Sequence, residues 1–368
     1  MRICWSCCAN CAIFRRLPMM KKLEQNYCKN WLEANGAEGV YVDEALNVVY
    51  PLHCEGSSQI TVLAAHTDTV FPDTEPLPYK EDEENIYCPG VGDDTASVAV
   101  LLMMAKYCIQ QSVLPPGGIL FVCNSCEEGL GNLKGTRKLM QDYGGRIARF
   151  ITFDSQLGIM NSHCVGSHRY QVEVKTEGGH SFQNFGKPNA IAVVSKMVSS
   201  IYELEVPKLA DTCTSYNVGI IGGGTSVNTI AQNAEFLCEY RSDSVEALAI
   251  MQERFEEIFA AARMEGVQIG VKKIGERPCA AGLDLRKQEA LTSACRGIIE
   301  QVTGMTVTDK SASTDCNIPL SQGIVAVCIG VYNGGGSYTR EEWMEKASMK
   351  PGLEIALQIA LELGCKMV

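Results

Sequence analysis

The sequence predicts an α/β protein: a mixed, largely parallel sheet with flanking helices, into which a ferredoxin-like βαββαβ unit is inserted. Three observations predict it. Short apolar runs beginning at Ile60, Gly118, Arg149 and Gly323 alternate with helical patterns, as strands buried on both faces do. The first three runs break directly into a histidine or acids, at the carboxyl ends of strands, where open α/β sheets bind ligands. Between about Gly166 and Pro278 the pattern changes to alternating strands and two helices in the order βαββαβ. Residues 1–165 and 277–368 then form one discontinuous domain, and 166–276 the insert.

Length and composition fit this reading. A chain of 368 residues holds two domains, or one domain with an insertion. Its 46% hydrophobic and 20% charged content is that of an ordinary globular protein. A net charge of −11 argues against nucleic acid or an anionic membrane as partner. No run approaches the roughly 18 apolar residues of a membrane span. Most of the 18 cysteines lie inside predicted elements, where reduced thiols act as small apolar side chains, so a cytoplasmic location is expected.

At the N-terminus, Cys4, Cys7, Cys8 and Cys11 make a CxxC-like patch with no second cluster at zinc-ribbon spacing, and read as incidental. Met20 to Asn35 reads as an amphipathic helix closed by Gly36, and Val40 to Tyr50 as a strand or hairpin. The run from Ile60 ends in His66-Thr67-Asp68. An imidazole can bind a metal through one nitrogen while a carboxylate holds the proton on the other. Alone the triplet fits a buried structural histidine better, and the rest of the chain reverses that.

A polar loop over Phe71–Pro89 leads to Gly90-Val91-Gly92-Asp93-Asp94 and a nearly uncharged helix over Thr95–Gln111. One aspartate suffices as an N-cap, and two exceed that need. The next run ends in Asn124-Ser125-Cys126-Glu127-Glu128-Gly129, the third in Asp154, and the fourth in a glycine-rich loop over Asn333–Thr339. One histidine, two aspartates and two glutamates converging at strand ends make an oxygen-plus-imidazole site suited to zinc, cobalt or manganese. In the insert, His180 follows two glycines in a loop, where packing gives it no purpose.

These motifs, with GGHS at Gly178–Ser181, the stretch from GGGTSVNTI to EYRS, STDCNIPLSQGI and GGGSYTREEW, follow the order and approximate spacing of the di-zinc exopeptidases. The chain resembles that superfamily, which includes peptidase T, glutamate carboxypeptidase, aminoacylase and succinyl-diaminopimelate desuccinylase, from about residue 20 to the C-terminus. The resemblance implies a catalytic domain holding two Zn2+ ions and a lid domain through which homodimers can form. It implies that His66 ligates the first metal with Asp68 as its partner, and that Asp93 bridges, with a cis peptide bond to Asp94. Glu127 would be the general base, Glu128 a ligand of the second metal and Asp154 of the first. His180, Asn228 and Arg241 would hold the carbonyl oxygen and terminal carboxylate of a small peptide or N-acyl amino acid.

The implied chemistry is metal-assisted amide hydrolysis, in which metals about 3.5–4 Å apart polarise a carbonyl and lower the pKa of a shared water. The sequence departs from the superfamily at the last ligand, where Tyr338 stands in place of histidine. A phenol must lose a proton near pH 10 to ligate, so a second site weaker than the first is expected. A metal-dependent exopeptidase, an N-acyl amino acid deacylase, an impaired homologue that binds peptide or amino acid without cleavage, and an unrelated metal-binding α/β protein are the readings left open.

Overall fold

The computed structural model describes residues 21–71, 77–263 and 265–364. The four N-terminal cysteines lie outside them. By the density of contacts the chain divides into two compact units, 1–164 with 280–368, and 165–279.

The first unit is built on an eight-stranded mixed sheet. Its order is Tyr41–Val42, Val48–Leu52, Ile119–Asn124, Ile60–His66, Ile147–Phe153, Val325–Ile329, Ile159–Cys164, Thr308–Ala312. The four apolar runs of the sequence are neighbours at its centre, all mutually parallel. Their lack of alternation has a direct cause, because both faces are covered. Leu63, Ala65, Phe121, Ile151 and Val327 point into a core shared with the helices Ser97–Gln110, Leu285–Thr303 and Met349–Glu362. Val62, Ala64, Val122, Phe150 and Ala326 point into the opposite core, with Leu139 and Ile318. The result is helix, sheet and helix in three layers.

Two outer strands escaped the sequence reading. Ile159–Cys164 and Thr308–Ala312 are polar or mixed because they run at the sheet margin. Strand Val325–Ile329 pairs with Ile159–Cys164 only at Cys328 and Ile329. The buried Gln288 amide completes that ladder by donating to the carbonyls of Ser162 (3.2 Å) and Ala326 (2.8 Å) and accepting from Ala326 N–H (3.1 Å). Its helix starts where Asp284 accepts from the N–H groups of Arg286 and Lys287, and stops at left-handed Gly304.

The supposed loop over Phe71–Pro89 carries the short strands Lys80–Glu81 and Asn85–Tyr87. Asn85–Tyr87 pairs with Trp343–Glu345, which pairs with Gly334–Gly335. This small sheet brings the glycine-rich loop beside the Gly90–Asp94 turn.

The second unit is a four-stranded antiparallel sheet in which the first strand, Gly166–Thr176, lies between the third, Asn233–Ser242, and the last, Val267–Arg277; Thr214–Gly223 is the far edge. This is the ferredoxin-like order. Helices Ala190–Tyr202 and Val245–Ala261 cover one face, over Val172, Val174, Phe236 and Tyr240. They begin at Asn189 and Ser244, whose side chains accept from first-turn N–H groups. Among the described residues no helix is long and apolar enough to cross a membrane. Among the described cysteines, all but Cys126 and Cys213 are buried.

Candidate active site

His66 is the last residue of its strand and is 1% exposed. Its Nε2 lies 3.0 Å from Asp93 Oδ1 and 3.9 Å from Asp154 Oδ2. Nδ1 lies 3.0 Å from the backbone carbonyl of Asp68, and the Asp68 carboxylate is farther, at 3.8 Å. The expected carboxylate partner is therefore replaced by a carbonyl, and the reason is that the carboxylate is engaged elsewhere. Its two oxygens accept from the backbone N–H groups of Glu127 and Glu128, each at 2.9 Å. Asp68 thus positions the turn that presents both glutamates. Asn47 supports that turn from beneath, accepting from Ser125 N–H at 3.0 Å.

Asp93 and Asp94 cap no helix. Residues Val91–Ala96 form a wider turn, the regular helix starts at Ser97, and neither aspartate has helical dihedrals. The peptide bond between them is cis, as the resemblance implied. Asp94 turns beneath the strand end, where its Oδ2 accepts from His66 N–H at 3.0 Å and its Oδ1 is buried without a partner.

Donor atoms of His66, Asp93 and Glu128 lie within 4.8 Å of one another, and so do those of His66, Asp94 and Asp154. Asp94, rather than Asp93, groups with Asp154. The electrostatics describe a cluster short of positive charge. Burial and the Asp93 charge push Glu128 up to about 8 and raise Asp154 well above the carboxylate range. Burial likewise raises Asp94. At His66 burial opposes protonation, but the Asp93 hydrogen bond and the fields of Asp94 and Asp154 prevail and raise it. An orphaned carboxylate oxygen and an imidazole among crowded acids are a donor set that fits divalent cations.

Tyr338 joins the cluster from the glycine-rich loop, in a left-handed backbone conformation (φ 66°). The residue is 63% exposed, yet desolvation of the hydroxyl and the charges of Asp93, Glu128, Asp154 and Glu127 raise its pKa above that of a free phenol. The same carboxylates that would share a cation with it oppose its ionisation.

Sequence reasoning missed Glu342. It is 2% exposed, and its carboxylate accepts from the backbone N–H groups of Gly90, Gly92 (3.0 Å) and Asp93 (2.8 Å). Gly92 is required for this fit, because a Cβ there would stand 2.6 Å from the Tyr332 ring and 3.1 Å from Glu342 Oε1. Glu342→Ala should leave three buried donors unsatisfied, at about 1–3 kcal/mol each, and release Asp93. Metal affinity should fall roughly 10–100-fold, read as metal retained through dialysis. Unchanged retention would show that Glu342 serves folding alone. Asp315 was also unassigned; it is buried and accepts from Asn124 Nδ2 and the Thr136 hydroxyl, steadying the strand end above Ser125.

In the second unit, His180 pairs with Thr229 in a two-residue ladder, and Ser181 N–H donates to the Asn228 carbonyl at 3.0 Å. The structure brings His180 and Asn228 together, both exposed. Arg241 is not with them. It pairs with Ser167 at the other end of the sheet, and the strand from Ser167 to Thr176 spans about 30 Å. Nor is its guanidinium open to a ligand as expected, since Nε and Nη2 both donate to Glu239, at 2.7 and 3.1 Å.

The geometry of the first unit defines a class: a three-layer α/β scaffold with a carboxylate–imidazole cluster, fit for divalent cations, at parallel strand ends. The chain belongs to peptidase family M20/M25/M40, whose description matches residues 62–362. It is a metallopeptidase or amidohydrolase of that family. Among solved structures, a tripeptidase from Staphylococcus aureus superposes with a TM-score of 0.79 at 19% identity, covering 99% of each chain. Aminopeptidase PepT from Bacillus cereus gives 0.74 at 17%, covering 99% of each. A dinuclear metal-binding peptidase of family M20 from Bacillus subtilis gives 0.67 at 13%, covering 99% of this chain and 98% of the other. No curated protein matches the chain.

Proposed function

We propose that this chain hydrolyses an amide bond in small peptides, as an exopeptidase, with Glu127 as general base. The supporting observation is the placement of Glu127, 5% exposed, on the Asp68-held turn beside Glu128, whose donor atom groups with His66 and Asp93, while His66 also groups with Asp94 and Asp154. Zn2+, Co2+ or Mn2+ held by His66, Asp93, Asp94, Glu128 and Asp154 would supply positive charge against a carbonyl oxygen and an attacking water. Glu127 takes a proton from that water on a carboxylate oxygen and returns it to the leaving nitrogen. Asp68 keeps Glu127 and Glu128 in register, and Glu342 keeps Asp93 in place. His180 and Asn228, on the lid domain, are proposed to hold the substrate's carbonyl oxygen. The lid is also the proposed homodimer surface, and the cytoplasm the proposed location.

The test is the purified full chain with each metal against di- and tripeptides and N-acyl amino acids, following amine release. Peptide cleavage is expected. Cleavage of N-acyl amino acids alone would make it a deacylase. Tyr338 favours a second reading, a homologue that binds peptide without turnover; peptide binding with no cleavage under any metal would establish that one instead.

A further inference from the structure

Arg340 stands in the glycine-rich loop midway between two residues that serve the acid cluster. We propose that Arg340 is a specificity-determining residue, which selects substrates carrying a free carboxylate near the scissile amide. The proposal rests on the reading of the first unit's cluster as the place where a peptide is cleaved.

Its neighbours in the chain fix its position. Tyr338, two residues before, is desolvated and lies in the field of Asp93, Glu128, Asp154 and Glu127. Glu342, two residues after, accepts from the N–H groups of Gly90, Gly92 and Asp93. Consecutive Cα atoms are about 3.8 Å apart, so the Arg340 backbone stands within about 8 Å of both. The loop between them is held as well. The Gly336 carbonyl accepts from Thr339 N–H at 3.0 Å and from its hydroxyl at 2.7 Å, and Thr339 Oγ1 accepts from Glu341 N–H at 3.3 Å.

The side chain is presented rather than used. Its guanidinium carbon lies 4.9 Å from the centroid of the Phe71 ring. Phe71 follows Asp68 by three residues, on the segment that leaves the His66 strand. A guanidinium laid on an aromatic face keeps the N–H groups of its edges free for a ligand, and the stacking limits the motion that binding must arrest. Arg340 is exposed, and among the described residues no carboxylate pairs with it. Arg241, by contrast, has Nε and Nη2 engaged by Glu239.

Charge gives such a cation a purpose. The chain carries a net charge of −11, and Asp93, Asp94, Glu127, Glu128 and Asp154 gather at the strand ends. A substrate carboxylate brought there meets like charge, and a positive group at the rim offsets that repulsion. The planar fork of arginine matches a carboxylate with two parallel hydrogen bonds.

Binding of ketomethylene dipeptide isosteres, which cannot be cleaved, to the full chain with Zn2+ tests this. One pair of probes is a free acid and its C-terminal amide. The other pair is amidated and carries a glutamate or a glutamine side chain. Calorimetry gives the dissociation constants for the wild type and Arg340→Gln, and thermal midpoints check folding. The wild type should bind one of the acids roughly tenfold more tightly than its neutral partner at low ionic strength, the effect of a charged hydrogen bond, and added salt should narrow the gap. A gap in the first pair assigns the terminal carboxylate, and a gap in the second an acidic side chain. Arg340→Gln should close the gap and leave the neutral probes bound as before. Equal binding within both pairs by the wild type, a gap retained in Arg340→Gln, or an equal loss of charged and neutral probes in that variant overturns the proposal and leaves the reading of the cluster standing. If the wild type binds none of the four probes, the reading of the cluster falls and takes the proposal with it.

Discussion

Glu127→Gln should lower peptide turnover roughly 10²–10⁴-fold, the range that a positioned general base contributes. The substitution keeps the size of the side chain and removes only its ability to accept a proton. The backbone N–H of Glu127, which donates to Asp68, is unaffected, so the turn and Glu128 should stay in place. Metal content after dialysis should therefore match the parent. Glu128, whose pKa burial and then the Asp93 charge push up, has its donor atom grouped with those of His66 and Asp93. Loss of metal in Glu127→Gln, with metal kept in Glu128→Gln, would mean that the two roles are exchanged.

Tyr338→His should raise metal content from about one ion per chain toward two after dialysis, and raise hydrolysis with it. A neutral imidazole binds at pH 7 without losing a proton, whereas a phenol must ionise, and metal affinity carries that cost. Desolvation and the neighbouring carboxylates make ionisation of Tyr338 harder still. The left-handed backbone at Tyr338 is a mild strain for either residue, so the variant should fold as the parent does. Two tightly held ions in the parent, or a variant no better in metal content and turnover, would refute this account of the second site.

The sequence carried the scaffold and most of the cluster, because both are written in local patterns. A strand buried on both faces must be continuously apolar, and its first polar residue marks the carboxyl end; His66, Asn124 and Asp154 each stand at such a break. The ferredoxin-like insert was equally legible, since strand alternation and helix caps at Asn189 and Ser244 depend on neighbours in the chain. Strands at the sheet margin, such as Thr308–Ala312, carry no such signal because they bury too little.

Tertiary structure decided what depends on partners distant in sequence or on where a side chain turns. Glu342 holds the Gly90–Asp93 turn across some 250 residues of chain, and its motif alone does not reveal which N–H groups it collects. Asp68 looked like the partner of the histidine two residues before it, yet it accepts from a turn 59 residues later and leaves His66 to a carbonyl. Arg241 read as an available fork, and only the side-chain conformation shows Glu239 in it. Burial patterns are one-dimensional and survive in sequence. Hydrogen-bond pairing follows from three-dimensional proximity, and several acceptors compete for each donor until the fold selects one.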